Sequence, residues 1–199
     1  MRLEIRQYGD PVLRAKGKAI AKVDERIRAL ARDMLETMHL ANGVGLAAQQ
    51  IGEALQLTVI DVAAAEDRPS TLKIDGHAVD VKKAMPLILL NPQVTLGSEK
   101  AIGTEGCLSF PDITSEIERS EAVSVEAEDL EGRKLKLEAT GLLARAIQHE
   151  VDHLNGILFI DRMTSAAKTA LASRLKRMQK ETERGSGKRR LVGASQRAL

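Results

Sequence analysis

The chain has no tryptophan, one tyrosine and two phenylalanines. Its core must therefore be aliphatic, and it lacks the aromatic platforms on which single-stranded nucleic acid stacks. Cysteine occurs once, at Cys107, which excludes an internal disulfide framework and suits a reducing compartment. The apolar run that ends at Leu90, which begins at Ala84, is far shorter than the ~20 residues that cross a bilayer, which excludes membrane insertion. The first residues, MRLEIRQYGDPVLR, alternate charge with apolar side chains and contain no continuous hydrophobic stretch. No secretory signal is expected, and the chain reads as cytoplasmic.

What is present is ordinary for a globular protein: 199 residues, 43% hydrophobic and 29% charged, enough for one core and an appendage. The formal net charge of +2 conceals an asymmetry. Residues 1–161 carry 19 Lys and Arg against 26 Asp and Glu, a net of −7, whereas residues 162–199 carry 11 against 2, a net of +9. An acidic body with a basic tail directs any anionic partner to the tail.

Apolar residues at three- and four-residue spacings from Asp24 to Leu40, with Asp24 as N-cap and Asn42-Gly43 as stop, predict an amphipathic helix. Leu57–Val62 reads as a buried strand, and Leu87–Leu90 as another ended by Asn91-Pro92. Between them, residues 63–85 turn polar and lose periodicity, as a loop or small hairpin excursion does. Ala122–Ala127 and Lys134–Ala139 alternate around Asp129-Leu130-Glu131-Gly132, a hairpin pattern. Gly141 to Leu154 predicts a helix that is apolar nearly all round, capped by Thr140, stopped at Asn155-Gly156 and buried in the centre of the fold. Residues 164–182 form a last helix with Ala167, Leu171, Leu175 and Met178 on one stripe and basic residues elsewhere. The sequence past Arg184 is aperiodic and reads as disordered. Together these elements make an α+β fold: small mixed or antiparallel sheets around a buried central helix, with further helices at both ends. The expected divisions are a catalytic body over 1–163, a basic amphipathic helix over 164–183 and a tail over 184–199.

The strongest chemical signal lies on the buried helix, His149-Glu150-Val151-Asp152-His153. Imidazoles four residues apart project from one helical face and can share a metal, while the intervening carboxylate reaches water on that metal. Hydrogen-bonded core histidines would be the bland alternative. Burying His149, Glu150 and His153 together costs several kcal/mol unless something pairs them, and a cation does so. A third ligand is then needed. The longer metzincin pattern fails, because Gly156 is present but position 159 is Phe. Asp161, Glu181 and Glu183 are the only acidic residues downstream. Cys107 lies in Glu105-Gly106-Cys107-Leu108-Ser109; a lone cysteine is more often a small buried hydrophobe, but beside a paired-histidine metal its thiolate completes a Cys-His-His set with one position open. A third stretch, Gly43-Val44-Gly45-Leu46-Ala47-Ala48-Gln49-Gln50-Ile51-Gly52, is either a helix C-cap with a turn or a place where backbone approaches a ligand closely. It is not a phosphate loop.

GVGLAAQQ, EGCLS and QHEVDH, in this order, resemble the motifs of the peptide deformylases, and the likeness extends from Tyr8-Gly9-Asp10-Pro11 to about Ile160. The resemblance implies removal of the formyl group from the N-terminal methionine of nascent chains. It implies Cys107, His149 and His153 as ligands of one divalent metal ion, Fe²⁺ first, with Zn²⁺, Ni²⁺ or Co²⁺ as other occupants. It assigns Glu150 as acid and base, Gln50 and the Leu108 N–H as oxyanion donors, Val44 and Gly45 to substrate binding, and Glu105 with Arg119 as a supporting ion pair. In such proteins a basic C-terminal helix sits on the ribosome, and residues 164–182 resemble it, which makes ribosomal RNA an expected partner. Two features depart from the pattern: residues 63–85 are longer than the usual connection, and the tail past Arg184 is extra. A metallopeptidase, and a catalytically silent deformylase-like protein that binds formylated chains or RNA through its tail, are the competing readings.

Overall fold

The computed structural model describes residues 2–65 and 67–195. The N-terminal segment leads through a short 3-10 turn at Pro11–Arg14, where the Asp10 carboxylate accepts from the Val12 N–H, into helix α1 (Glu25–Leu40). Asp24 caps α1 by accepting from the Ile27 N–H at 2.9 Å, satisfying one of the helix's free N-terminal donors. Strand β1 (Gly45–Ala47), a 3-10 turn at Ala48–Ile51 and β2 (Leu57–Ile60) follow. Next come the hairpin β3 (Leu72–Ile74) and β4 (His77–Val79), the single turn α2 (Val81–Ala84), and β5 (Leu87–Leu96). Strands β6 (Lys100–Cys107) and β7 (Phe110–Ser120) form a long hairpin, and β8 (Ala122–Glu128) and β9 (Lys134–Thr140) another. Helices α3 (Gly141–Leu154), α4 (Phe159–Arg162) and α5 (Ser165–Ser195) complete the chain.

Seven strands form one antiparallel sheet in the order β1-β2-β5-β8-β9-β3-β4, while β6 and β7 pair apart from it. The main sheet is thus larger than the sequence suggests, because the 63–85 excursion adds its hairpin to the sheet edge by pairing β3 with β9. Asn91-Pro92 does not end its strand. Asn91 takes a left-handed φ of 51° and the ladder resumes at Gln93 after a register shift, so the proline sits at a bulge where no ladder donor is needed. Helix α5 runs on through Arg184 to Ser195. No proline interrupts residues 164–199, and a helix satisfies its own backbone without needing an apolar face; residues 196–199 lie outside the described residues.

Three apolar clusters hold these elements together. Sheet residues such as Leu89, Val125 and Leu137 pack on Leu143 and Ile147 of α3. Ala31, Met34 and Met38 of α1 pack on Leu46 and Val59. Leu13, Phe110, Ile117 and Phe159 gather against the start of α5, whose Leu175 is buried among them. Gly9 permits that last docking: a Cβ there would lie 2.9 Å from the Gln179 backbone. Helix α3 is thereby enclosed, with 12 of its 14 residues buried. Its N-terminus is not capped by the Thr140 side chain. Ser70, from the excursion, accepts from the Leu143 N–H at 3.0 Å instead, and Thr140 bonds Thr71.

Candidate metal centre

The centre forms where the β6–β7 hairpin meets α3. The hairpin turns at Leu108-Ser109, with a register shift at Gly106/Cys107, so that the Cys107 thiol leaves the strand facing the helix. Four residues place His149 and His153 one turn apart on the same face, with ring centroids 5.1 Å apart. Ligand atoms of Cys107, His149 and His153 all lie within 4.8 Å of one another, and Cys107 Sγ is 3.2 Å from His153 Nε2. Among the described residues, these are the one group of three or more His, Cys, Asp or Glu side chains with metal-ligand convergence.

The surroundings favour a cation at this place. His149 Nδ1 donates to Glu105 at 3.0 Å, which leaves Nε2 free and fixes the ring orientation, as carboxylate partners do for metal-binding histidines. Burial opposes a charged His149 ring, but the Cys107 sulfur and the Glu105 carboxylate outweigh it and push its pKa well up. A positive charge is therefore stabilised at His149, and an ion at Nε2 can supply it. Burial lowers His153 well below the usual imidazole range, keeping a neutral ring with a lone pair to give. One thiol and two imidazoles fit a divalent transition metal with an open fourth position.

Glu105 is buried, and its ion pairs explain why that is tolerated. Burial alone would raise its carboxyl; hydrogen bonds from His149 and Arg119 bring it down to about 2. Arg119 holds it with Nε and Nη2 at 2.9 and 3.0 Å, Arg145 adds Nη1 at 2.8 Å, and Arg119 also reaches Asp152 at 2.5 Å. Asp152 is closed by Arg162 from α4 at 3.0 and 2.6 Å. Arg145, Asp152 and Arg162 were not singled out from the sequence. The available signal is that polar side chains recur at 145, 149 and 152, at helical spacing on a helix whose other turns carry Leu142, Leu143, Ile147 and Leu154.

Gln50 is held in place by the Ala47 N–H, which donates to its Oε1 at 2.8 Å. Its Nε2 then faces Ser109 Oγ at 3.2 Å and Cys107 Sγ at 3.5 Å. The N-terminal segment ties these loops together: the Arg6 N–H donates to Gln50 O and the Tyr8 N–H to Ser109 O. Glu150 is 4% exposed, and its Oε2 is buried without a hydrogen-bond partner. Burial pushes its carboxyl up to about 7, against the opposing pull of His149. Gly45 explains how it fits: a Cβ there would lie 2.8 Å from Glu150 Cγ and Cδ. A cleft of about 590 Å³ opens over the site, lined by Gly45, Gln50, Cys107, Leu108, His149 and Glu150. Val44 is at its mouth and 39% exposed.

Residues 2–169 match the family described as polypeptide deformylase. The chain belongs to the peptide deformylase family. A peptide deformylase of Methylacidiphilum infernorum is 46% identical over 180 residues, covering 90% of this chain and 94% of that protein. One from Opitutus terrae is also 46% identical, covering 92% and 95%. Among solved structures, the deformylase of Thermus thermophilus superposes with a TM-score of 0.77 at 40% identity, covering 91% of this chain and 99% of the other. That of Thermotoga maritima gives 0.71 at 38%, covering 82% and 99%. Deformylases are metal-dependent hydrolases that remove the N-formyl group from nascent polypeptides, and this chain has a candidate metal site at Cys107, His149 and His153. Among the described residues no helix is long and apolar enough to cross a membrane.

Proposed function

We propose that this chain hydrolyses formyl-methionyl peptides with Cys107, His149 and His153 holding the ion, Fe²⁺ in the native state, and with Glu150 moving the proton. The observation that carries the reading is the convergence of one sulfur and two imidazoles beside a buried carboxylate with an unpartnered oxygen. A bound divalent ion supplies Lewis acidity, drawing the pKa of water down to ~7 and polarising the formyl oxygen. Glu150 takes a proton from the attacking water and later gives it to the leaving amine, so that formate and a free α-amino terminus are the products. Burial raises the Glu150 carboxyl, which favours its holding the proton between the two transfers. Gln50 Nε2 and the Leu108 N–H donate to the oxygen on which charge develops; losing one such donor costs about 100- to 1000-fold in rate. Val44 and Gly45 offer backbone to the substrate peptide at the cleft edge.

Thiolate-bound Fe²⁺ is oxidation-prone, and we place the reaction in a reducing cytoplasm. Formate release from a formyl-Met peptide, before and after chelation, tests the reading. Turnover should vanish with the ion and return with Fe²⁺, and cleavage of an internal peptide bond instead would indicate a peptidase. The basic face of α5 is our proposed contact with ribosomal RNA. Charge reversal at the exposed Lys176, Arg177 and Lys180 keeps the Leu175 stripe and should abolish salt-dependent ribosome co-sedimentation; unchanged co-sedimentation would remove this contact.

A further inference from the structure

The hairpin that carries Cys107 has only one strand-to-strand ladder of its own. An isolated two-stranded hairpin is marginal in water and takes its position from what it is tied to. Its outward carbonyls also need donors where they are buried. Besides the His149–Glu105 bond, three groups of side chains tie it to α3. Gln148 and Ser120 exchange hydrogen bonds at 3.0 and 2.8 Å, and Arg119 reaches Asp152; both of these grip β7. Arg145 is different. From α3, one turn before His149, its guanidinium donates to Ala101 O at 2.8 Å, Gly103 O at 3.4 Å and Glu105 Oε1 at 2.8 Å, all on β6, and to Ile117 O at 2.9 Å on β7.

One buried fork thus spans both strands and the carboxylate that orients His149, on the strand that ends at Cys107. Gly103 makes the fork's seat: its φ is not left-handed, and a Cβ there would stand 3.1–3.3 Å from the guanidinium atoms. A side chain at 103 would displace the fork rather than strain the backbone.

We propose that Arg145 is a positioning residue that clamps the Cys107 strand to the histidine helix and so sets the sulfur-to-imidazole separation at the ion site. The inference rests on the metal reading above. Cobalt(II) is a suitable probe, because a thiolate on cobalt gives a charge-transfer band that reports the sulfur bond independently of turnover. Arg145→Met should stay folded by circular dichroism, yet lose Co²⁺ to a chelator about tenfold faster or more, as displaced supporting partners do, with a shifted band. Arg145→Lys, which keeps the charge but not the fork, should fall between. Gly103→Ala should move both readouts in the same direction, and should add nothing once Arg145 is Met. If Arg145→Met does not fold, Arg145→Lys and Gly103→Ala decide by the same readouts. Variants that melt lower but keep the wild-type band and release rate would overturn the proposal, leaving Arg145 as packing alone. A wild-type cobalt protein without the band would instead overturn the assignment of Cys107 as a ligand.

Discussion

Helices α3 and α5 both carry polar side chains, and they use them in opposite ways. In α3, Arg145, Gln148, His149, Glu150, Asp152 and His153 are all buried, and hydrogen bonds or ion pairs hold Arg145, Gln148, His149 and Asp152 to the hairpin or to α4. In α5, Lys176, Arg177 and Lys180 face solvent, while Leu175 does the docking. The same kinds of groups therefore have very different consequences. A buried charge is costly unless fixed in a pair, so these paired positions in α3 constrain the site; a solvated one constrains almost nothing locally.

Substitutions should divide along that line. Glu150→Ala should lower kcat by about 1000-fold or more, with metal content by elemental analysis unchanged; lost metal would mean that Glu150 is structural. Gly45→Ala should follow at about 100-fold in kcat, because the new methyl collides with the seated Glu150 carboxylate, while thermal stability changes little. Gln148→Ala should act on stability rather than chemistry: it strands the Ser120 N–H and carbonyl, and urea denaturation should show a loss of about 1–3 kcal/mol.

An ion pair outside the centre should titrate on the acid side. Burial would raise the Asp161 carboxyl, but its bonds from Arg14 and the Leu158 N–H hold it below the usual range. A depressed native pKa stabilises above the unfolded value near 4 and loses that contribution as pH falls through the native one. Asp161→Asn should therefore flatten the acid limb of the melting profile, by less than about 1 kcal/mol because the pair is partly exposed. Smallest of all, Lys176→Ala should leave stability within about 0.5 kcal/mol.

Local chemistry made α1, the β8–β9 hairpin and α3 legible, since each has a strong period and a clear stop. The β6–β7 hairpin was not legible: GTEGCLSFPDITSEIERS lacks a clean alternation, and its strands are stabilised by side chains from α3. Residues 63–85 read as an excursion, but their role in capping α3 through Ser70 depends on a contact 73 residues distant. Within the site, the HEVDH spacing stands out because it puts two candidate ligands on one helix face. Arg145, Asp152 and Arg162 do not, because a buried charge in a sequence is indistinguishable from a surface one until its partners are known.

X-ray absorption on anaerobically prepared protein addresses the shared cation directly. One ion per chain should show a first shell with one sulfur near 2.3 Å and two imidazole nitrogens near ~2.1 Å, taking zinc-like distances as the guide, and Cys107→Ala should remove the sulfur. A shell of oxygens and nitrogens alone, or an unchanged spectrum in Cys107→Ala, would contradict the account.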